Sequence, residues 1–270
     1  MIVKRMFARG LLVALCLALW PALASAAEPP KPAGKLVYQD DFNDSGKKSG
    51  LEENKTATDY SRGFHAPGVY HLKDIKKGET HWSMFPKQTY GDFEIEIDLF
   101  DSSDDFTGDI SQGLIVRAKD DAHFYAVLVD PRTGGYSVRK QDGAGKWSDL
   151  VAFKASPLVK QQADVNHLRI DAKADKFTVY LNGESLTSFS DAAYKQGGIG
   201  LIASNVDAVG SHMHFDNVKV YSNDVVPVSG APAAPAALPT TGGETGSLPL
   251  ALAFGAFALL LLGMWVRQRH

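Results

Sequence analysis

Alternation of apolar and polar residues across positions 166–200 constrains this chain more than any other feature. Leu168, Ile170 and Ala172 alternate with Arg169, Asp171 and Lys173, and after a polar turn Phe177, Val179 and Leu181 alternate with Thr178, Tyr180 and Asn182. A period of two sends each set to its own side, which predicts two strands with one dry and one wet face. Asn182-Gly183 supplies the positive backbone angles of a tight hairpin turn. Ile199 to Ile202 and Phe215 to Tyr221 add two strands. Their dry faces must be covered, and a second sheet is the simplest cover.

The preceding sequence can provide that sheet. Phe93, Ile95, Ile97 and Leu99 alternate with Glu94, Glu96 and Asp98. Shorter strand patterns occur at 35–42, 68–72, 80–85, 112–117, 123–129, 135–140 and 146–153, separated by Gly, Pro and Asp turns. About a dozen short strands with turns every eight to twelve residues, and no helical period, predict an all-β antiparallel sandwich of two sheets over about 36–222. One domain of that size suits a single core.

Charge and cysteine exclude several chemistries. The 270 residues carry a net charge of -3, with Lys and Arg scattered. No basic stripe marks a nucleic-acid partner. The single cysteine, Cys16, lies in an N-terminal apolar run, so the domain itself has no thiol for disulfides, thiolate metal sites or nucleophilic attack. No nucleophile elbow and no phosphate-binding glycine loop is present.

Both ends read as targeting segments. Lys4, Arg5 and Arg9 precede an apolar run from Gly10 to Trp20, and Ala24-Ser25-Ala26 fits a small-x-small cleavage site. Residues 1–26 are therefore expected to be a signal peptide, read by signal peptidase, and 27–35 a leader. Residues 223–237, rich in Pro and Ala, read as an extended linker free of helix and ladder. Then come Leu238, Pro239, Thr240, Thr241 and Gly242, an apolar run over 248–266 long enough for a transmembrane helix, and the basic tail Arg267, Gln268, Arg269, His270. This order, over 238–270, resembles the LPxTG cell-wall sorting signal of surface proteins. That resemblance implies a sortase-like transpeptidase as partner, cleaving between Thr241 and Gly242. A plain membrane anchor is the alternative, and both place the domain at the cell surface.

The segments YGDFEIEIDLF, GLIVRAKDDAHFYAVLV, NHLRIDAKADKFTVYLNG, GGIGLIASN and HFDNVKVY resemble, in order, the concanavalin A-like lectin/glucanase jelly roll. Within it they look most like laminin-G-like modules and the 3-keto-disaccharide hydrolase domain. The resemblance implies two curved antiparallel sheets, one face of which often receives sugar.

Candidate site residues fall into three groups. Glu94, Glu96 and Asp98 share one strand face at about 6.5–7 Å per two-residue step, a spacing relevant to carboxylate-pair glycosidases. The glucanase signature, Glu-x-Asp-x-x-Glu, is not reproduced: Glu96 replaces its Asp, and Asp98 stands where no acid is expected. For binding, Trp82, Tyr125, Tyr136 and Trp147 offer rings for sugar C–H faces, and Arg117 and Arg139 offer donors. For metals, the jelly-roll resemblance points to a structural calcium near the chain ends, with Asp40, Asp41 and Asp216 as oxygen ligands. His212 and His214 present two imidazoles on one strand face. The sequence shows no third ligand beside them, and His65, His71 and His81 read as surface residues. No cofactor is required. The expectation is a cell-surface module that binds carbohydrate without catalysis; the alternatives are a glycoside hydrolase using Glu94 to Asp98 and a protein-binding adhesion or spacer module.

Overall fold

The computed structural model describes residues 29–44, 48–54, 61–65, 68–73, 75–86, 88–208 and 210–227. The expected signal peptide, sorting motif and transmembrane segment lie outside the described residues. Among the described residues no helix is long and apolar enough to cross a membrane.

Among the described residues, sixteen strands, numbered in chain order, build the fold. The larger sheet has the order β13 (Glu184–Ser190), β12 (Lys176–Leu181), β11 (Asn166–Lys173), β6 (Phe93–Asp101), β15 (His212–Ser222), β3 (Val69–Lys73) and β2 (Ser61–His65). Its eighth strand, β1 (Lys35–Asp40), pairs with the second half of β15. The smaller sheet runs β10 (Trp147–Ala155), β9 (Gly135–Asp142), β8 (His123–Asp130), β7 (Ile110–Asp120), β14 (Gly198–Asn205) and β4 (Glu79–Met84). All these pairings are antiparallel. The expected two-sheet sandwich is the fold.

The alternation explains the packing. Phe93, Ile95, Ile97 and Leu99 on β6, Leu168 and Ile170 on β11, and Phe177, Val179 and Leu181 on β12 are all buried against Leu114, Val116, Tyr125, Val127, Val129 and Val138 of the smaller sheet. Each such side chain contributes about 1.5–3 kcal/mol when fully removed from water. The Asn182-Gly183 turn has the expected left-handed angles, with φ of 53° and 85°.

Two irregularities break the alternation and matter later. At Asn217, φ is 53° and the β15–β6 register shifts between Asp216 and Lys219. This bulge lets Met213 and Phe215 before it, and Val218 and Val220 after it, all reach the core. At Arg117, φ is 51° and the β7–β8 register shifts between Val116 and Asp120.

The first residues of the expected linker 223–237 are not free of ladder pairing. Val225–Pro227 forms β16, paired with β5 (Gln88–Tyr90). Two β-branched residues precede the Pro/Ala run, and Pro227 closes the ladder at its end, where a missing N–H is tolerated.

Candidate functional site

The outer face of the larger sheet is polar and crowded. Glu94, Glu96 and Asp98 project from β6 opposite Asp171, Arg169 and His167 of β11. On the other flank, Asp98 faces Asp216 and Glu96 faces Lys219. The three acids have separate partners. Glu94 accepts from Arg169 Nη2 at 2.9 Å and from the Ala33 N–H at 2.9 Å. Arg169 also bonds Asp171 at 2.7 Å through Nε, and its guanidinium lies 5.4 Å from the Tyr180 ring centre. Glu94, Asp92, Asp171 and Tyr221 line a cavity of about 370 Å³.

Asp98 makes the most specific contacts of the three. His167 Nδ1 lies 2.8 Å from Asp98 Oδ1, and Asn217 Nδ2 donates to Oδ2 at 2.9 Å. Burial works against the charged form of Asp98, but the bonds from His167 and Asn217 outweigh it and hold the carboxyl below its ordinary range. An ionised aspartate that fixes an imidazole is suited to orienting a base, whereas a glycosidase general acid needs the opposite shift. His167 is a site residue the sequence reading missed; its signal was a lone His on the wet face of the best strand, opposite Asp98.

Further along the same face, three imidazoles converge. β15 and β3 place His214 directly opposite His71, and His212 follows two residues away on the same side. Their ligand nitrogens all lie within 4.8 Å of one another. This corrects the expectation that His212 and His214 lack a third ligand and that His71 is an isolated surface residue. Strand pairing across more than 140 positions supplies it. Among the described residues this is the one group of three or more His, Cys, Asp or Glu that converges in this way.

The residues named for calcium do not form such a group. Asp40 is buried, and its Oδ1 accepts from the Phe42 N–H at 2.8 Å while Oδ2 accepts from Tyr38 Oη at 2.9 Å. Asp41 accepts from the Asn43 N–H. Burial, with Asp98, Asp41 and Asp40 nearby, raises the Asp216 carboxyl above its ordinary range.

The six residues named for ligand binding divide. Arg117, Tyr125 and Tyr136 are buried, which corrects their assignment to a ligand-facing surface. The left-handed turn of the backbone at Arg117 sends its guanidinium inward, 4.9 Å from the Phe177 ring centre, where it bonds the Ala174 and Tyr194 carbonyls and Asp92. Burial lowers the Arg117 pKa, with Asp92 opposing. Tyr125 and Tyr136 follow the core parity of β8 and β9. Tyr125 Oη donates to Asp191 at 2.6 Å, and burial raises its pKa.

Trp82, Arg139 and Trp147 lie together on the outer face of the smaller sheet. Phe124 is edge-on to both tryptophans, at 5.5 Å each, and the Arg139 guanidinium sits 4.9 Å from the Trp147 ring centre. Arg139 is held by Asp149 at 3.0 Å. Beside them runs a groove of about 290 Å³ lined by Phe153, Val206, Arg139, Asp149, Asp130 and Ser137, among others. Phe153 is 54% exposed. Its ring covers Gly135, where a Cβ would stand 2.2 Å from the ring carbon Cζ. The missing side chain of Gly135 makes room for the ring. Burial, with Asp109 adding, raises the Asp130 carboxyl. Phe153 escaped the sequence reading because β10 carries register shifts at Val151 and Lys154 that blur its parity.

A two-sheet antiparallel sandwich of this kind defines a broad class of jelly-roll domains. The 3-keto-alpha-glucoside-1,2-lyase-like domain family matches residues 28–221, and the chain belongs to that family. Among solved structures, the chain is similar to the carbohydrate-binding module CBM66 from Bacillus subtilis, at 21% identity and a TM-score of 0.51, over 61% of this chain and 92% of that one. It is also similar to a Bacillus subtilis protein of unknown function with a galectin-like fold, at 12% identity and a TM-score of 0.51, over 72% of this chain and 98% of that one. A search of curated protein sequences gives no match.

Proposed function

We propose that the domain is a carbohydrate-binding module whose ligand lies in the groove of the smaller sheet. One observation carries this reading: an exposed aromatic ring, Phe153, seated on a glycine and flanked by the Arg139–Asp149 pair and the Asp130 carboxyl. A pyranose presents an apolar C–H face and a ring of hydroxyls. Phe153 offers the first a flat partner, and Arg139 with Asp149 offers the second charge-assisted hydrogen bonds. The export and sorting segments in the sequence support an extracellular setting, where such a module would meet glycans.

The test is a panel of oligosaccharides measured by calorimetry on the full chain. Phe153→Ala should weaken the best ligand about tenfold, in line with the roughly 0.5–1.5 kcal/mol of an aromatic contact beyond its area. An unchanged affinity in both Phe153→Ala and Arg139→Ala sinks the proposal.

Family membership and the Asp98–His167 contact favour a second reading on the larger sheet, a 1,2-elimination on a 3-keto-glucoside. There, His167 takes the C2 proton, which the neighbouring ketone acidifies. The C2–H electrons form the C1–C2 double bond, the C1–O bond breaks, and the leaving oxygen takes a proton. Ionised Asp98 would orient the imidazole and stabilise its charged form. Release of the C1 substituent from a 3-keto-α-disaccharide, abolished in His167→Ala, supports this reading; no release by the wild type removes it.

A further inference from the structure

We propose that His71, His212 and His214 form a binding site for one divalent transition-metal ion of the zinc class. The inference depends on neither reading above. Three neutral imidazoles are a ligand set that suits Zn²⁺ or Co²⁺ and leaves a fourth position open. A tetrahedral ion with Zn–N of about 2.0–2.1 Å needs its donor atoms about 3.3–3.4 Å apart. The ligand nitrogens here lie within 4.8 Å of one another, and His212 Nε2 stands 2.9 Å from His214 Nε2. Rotations within the rotamer wells of long ring side chains cover the differences.

The rings are carried by paired strands rather than loops, with Met213 and Leu72 between them anchored in the core. The Phe100 ring stands edge-on to His214 at 4.8 Å, and His71 is edge-on to His212 at 5.2 Å. Ser102 Oγ lies 3.3 Å from His212 Nδ1. The same oxygen lies 3.3 Å from His214 Nε2, and with that nitrogen on a metal ion it can serve as the outer-shell partner on the far nitrogen of His212. Access is open on the His212 side, where a cavity of about 150 Å³ is lined by Lys73, Ser102, Asp104, Ser211 and His212, among others.

The proposal is tested on the full chain, without a polyhistidine tag, after dialysis against a chelator. Zn²⁺ is titrated by calorimetry and Co²⁺ by its visible absorption. The expected result is one ion per chain, a tetrahedral Co²⁺ spectrum, and a thermal midpoint raised by Zn²⁺ but not by Mg²⁺. His71→Ala and His212→Ala should each weaken binding more than about tenfold, because even outer-shell partners are worth about 10–100-fold. His123→Ala, on the other sheet, should bind as wild type. Circular dichroism verifies that each variant is folded, and the Zn²⁺-dependent midpoint of the wild type stands as a readout if one is not. Absence of stoichiometric uptake by the wild type, or uptake unchanged in folded His71→Ala/His212→Ala, overturns the inference.

Discussion

Two arginines of similar appearance in the sequence have opposite roles, and burial decides which is which. The Arg117 side chain is fully buried, and its partner Asp92 is half exposed. Removing the guanidinium takes a donor from the Ala174 and Tyr194 carbonyls and the ion-pair partner from Asp92, which keeps the Ala174 N–H as a donor. Arg117→Ala should therefore cost about 3 kcal/mol, the low end for breaking a buried ion pair, since water can still reach Asp92. At about 2–4 °C per kcal/mol for a domain of this size, the melting temperature should fall by roughly 6–12 °C. Arg139 is about a third exposed and Asp149 about half, so Arg139→Ala should cost under about 1 kcal/mol and act on ligand affinity instead. Thermal denaturation of both variants checks the contrast, and equal losses would contradict it. Strict alternation along β7 would place Arg117 with Ile115, on the side of the smaller sheet away from Leu114 and Val116. It failed because a single left-handed residue reverses parity, and nothing in an arginine codon announces a bulge.

The alternation made the strands themselves legible. The faces of β6, β11 and β12 follow from period two, and so does the placement of Glu94, Glu96 and Asp98 outside the core. Strand order was not legible. β15 lies between β6 and β3, although more than 100 residues separate it from both, so His71 and His214 become neighbours through pairing that no local pattern encodes. The same holds for Asp98 and His167, which face each other across β6 and β11. The short or polar strands were also hidden. β13 has four hydroxyl side chains in seven residues and sits at a sheet edge, where packing places few demands on its composition. The groove on the smaller sheet was half legible: Trp82, Trp147 and Arg139 lie beside it, but Phe153 needed the structure, because only there does Gly135 lie beneath it.

The molecule has two outer faces with different chemistry, and the sandwich core separates them. The smaller sheet carries aromatic rings and a groove. The larger sheet carries the imidazoles and the Asp98–His167 contact. Sheets pack about 10 Å apart, and side chains on the two outer faces are further apart still. Sites at that distance, with no shared partner, have additive energetics to within about 0.3–0.5 kcal/mol. A cycle of Phe153→Ala, His71→Ala and the double variant tests this. Sugar affinity should fall with Phe153→Ala and stay there in the double variant. Zn²⁺ affinity should fall with His71→Ala and be indifferent to Phe153. Calorimetry of both ligands against all four proteins gives the coupling term directly. A coupling well above 0.5 kcal/mol, or sugar binding that requires Zn²⁺, would move the carbohydrate onto the larger sheet beside the histidines. The groove would then be left without a role, and the elimination reading would take over, while the metal site itself would stand.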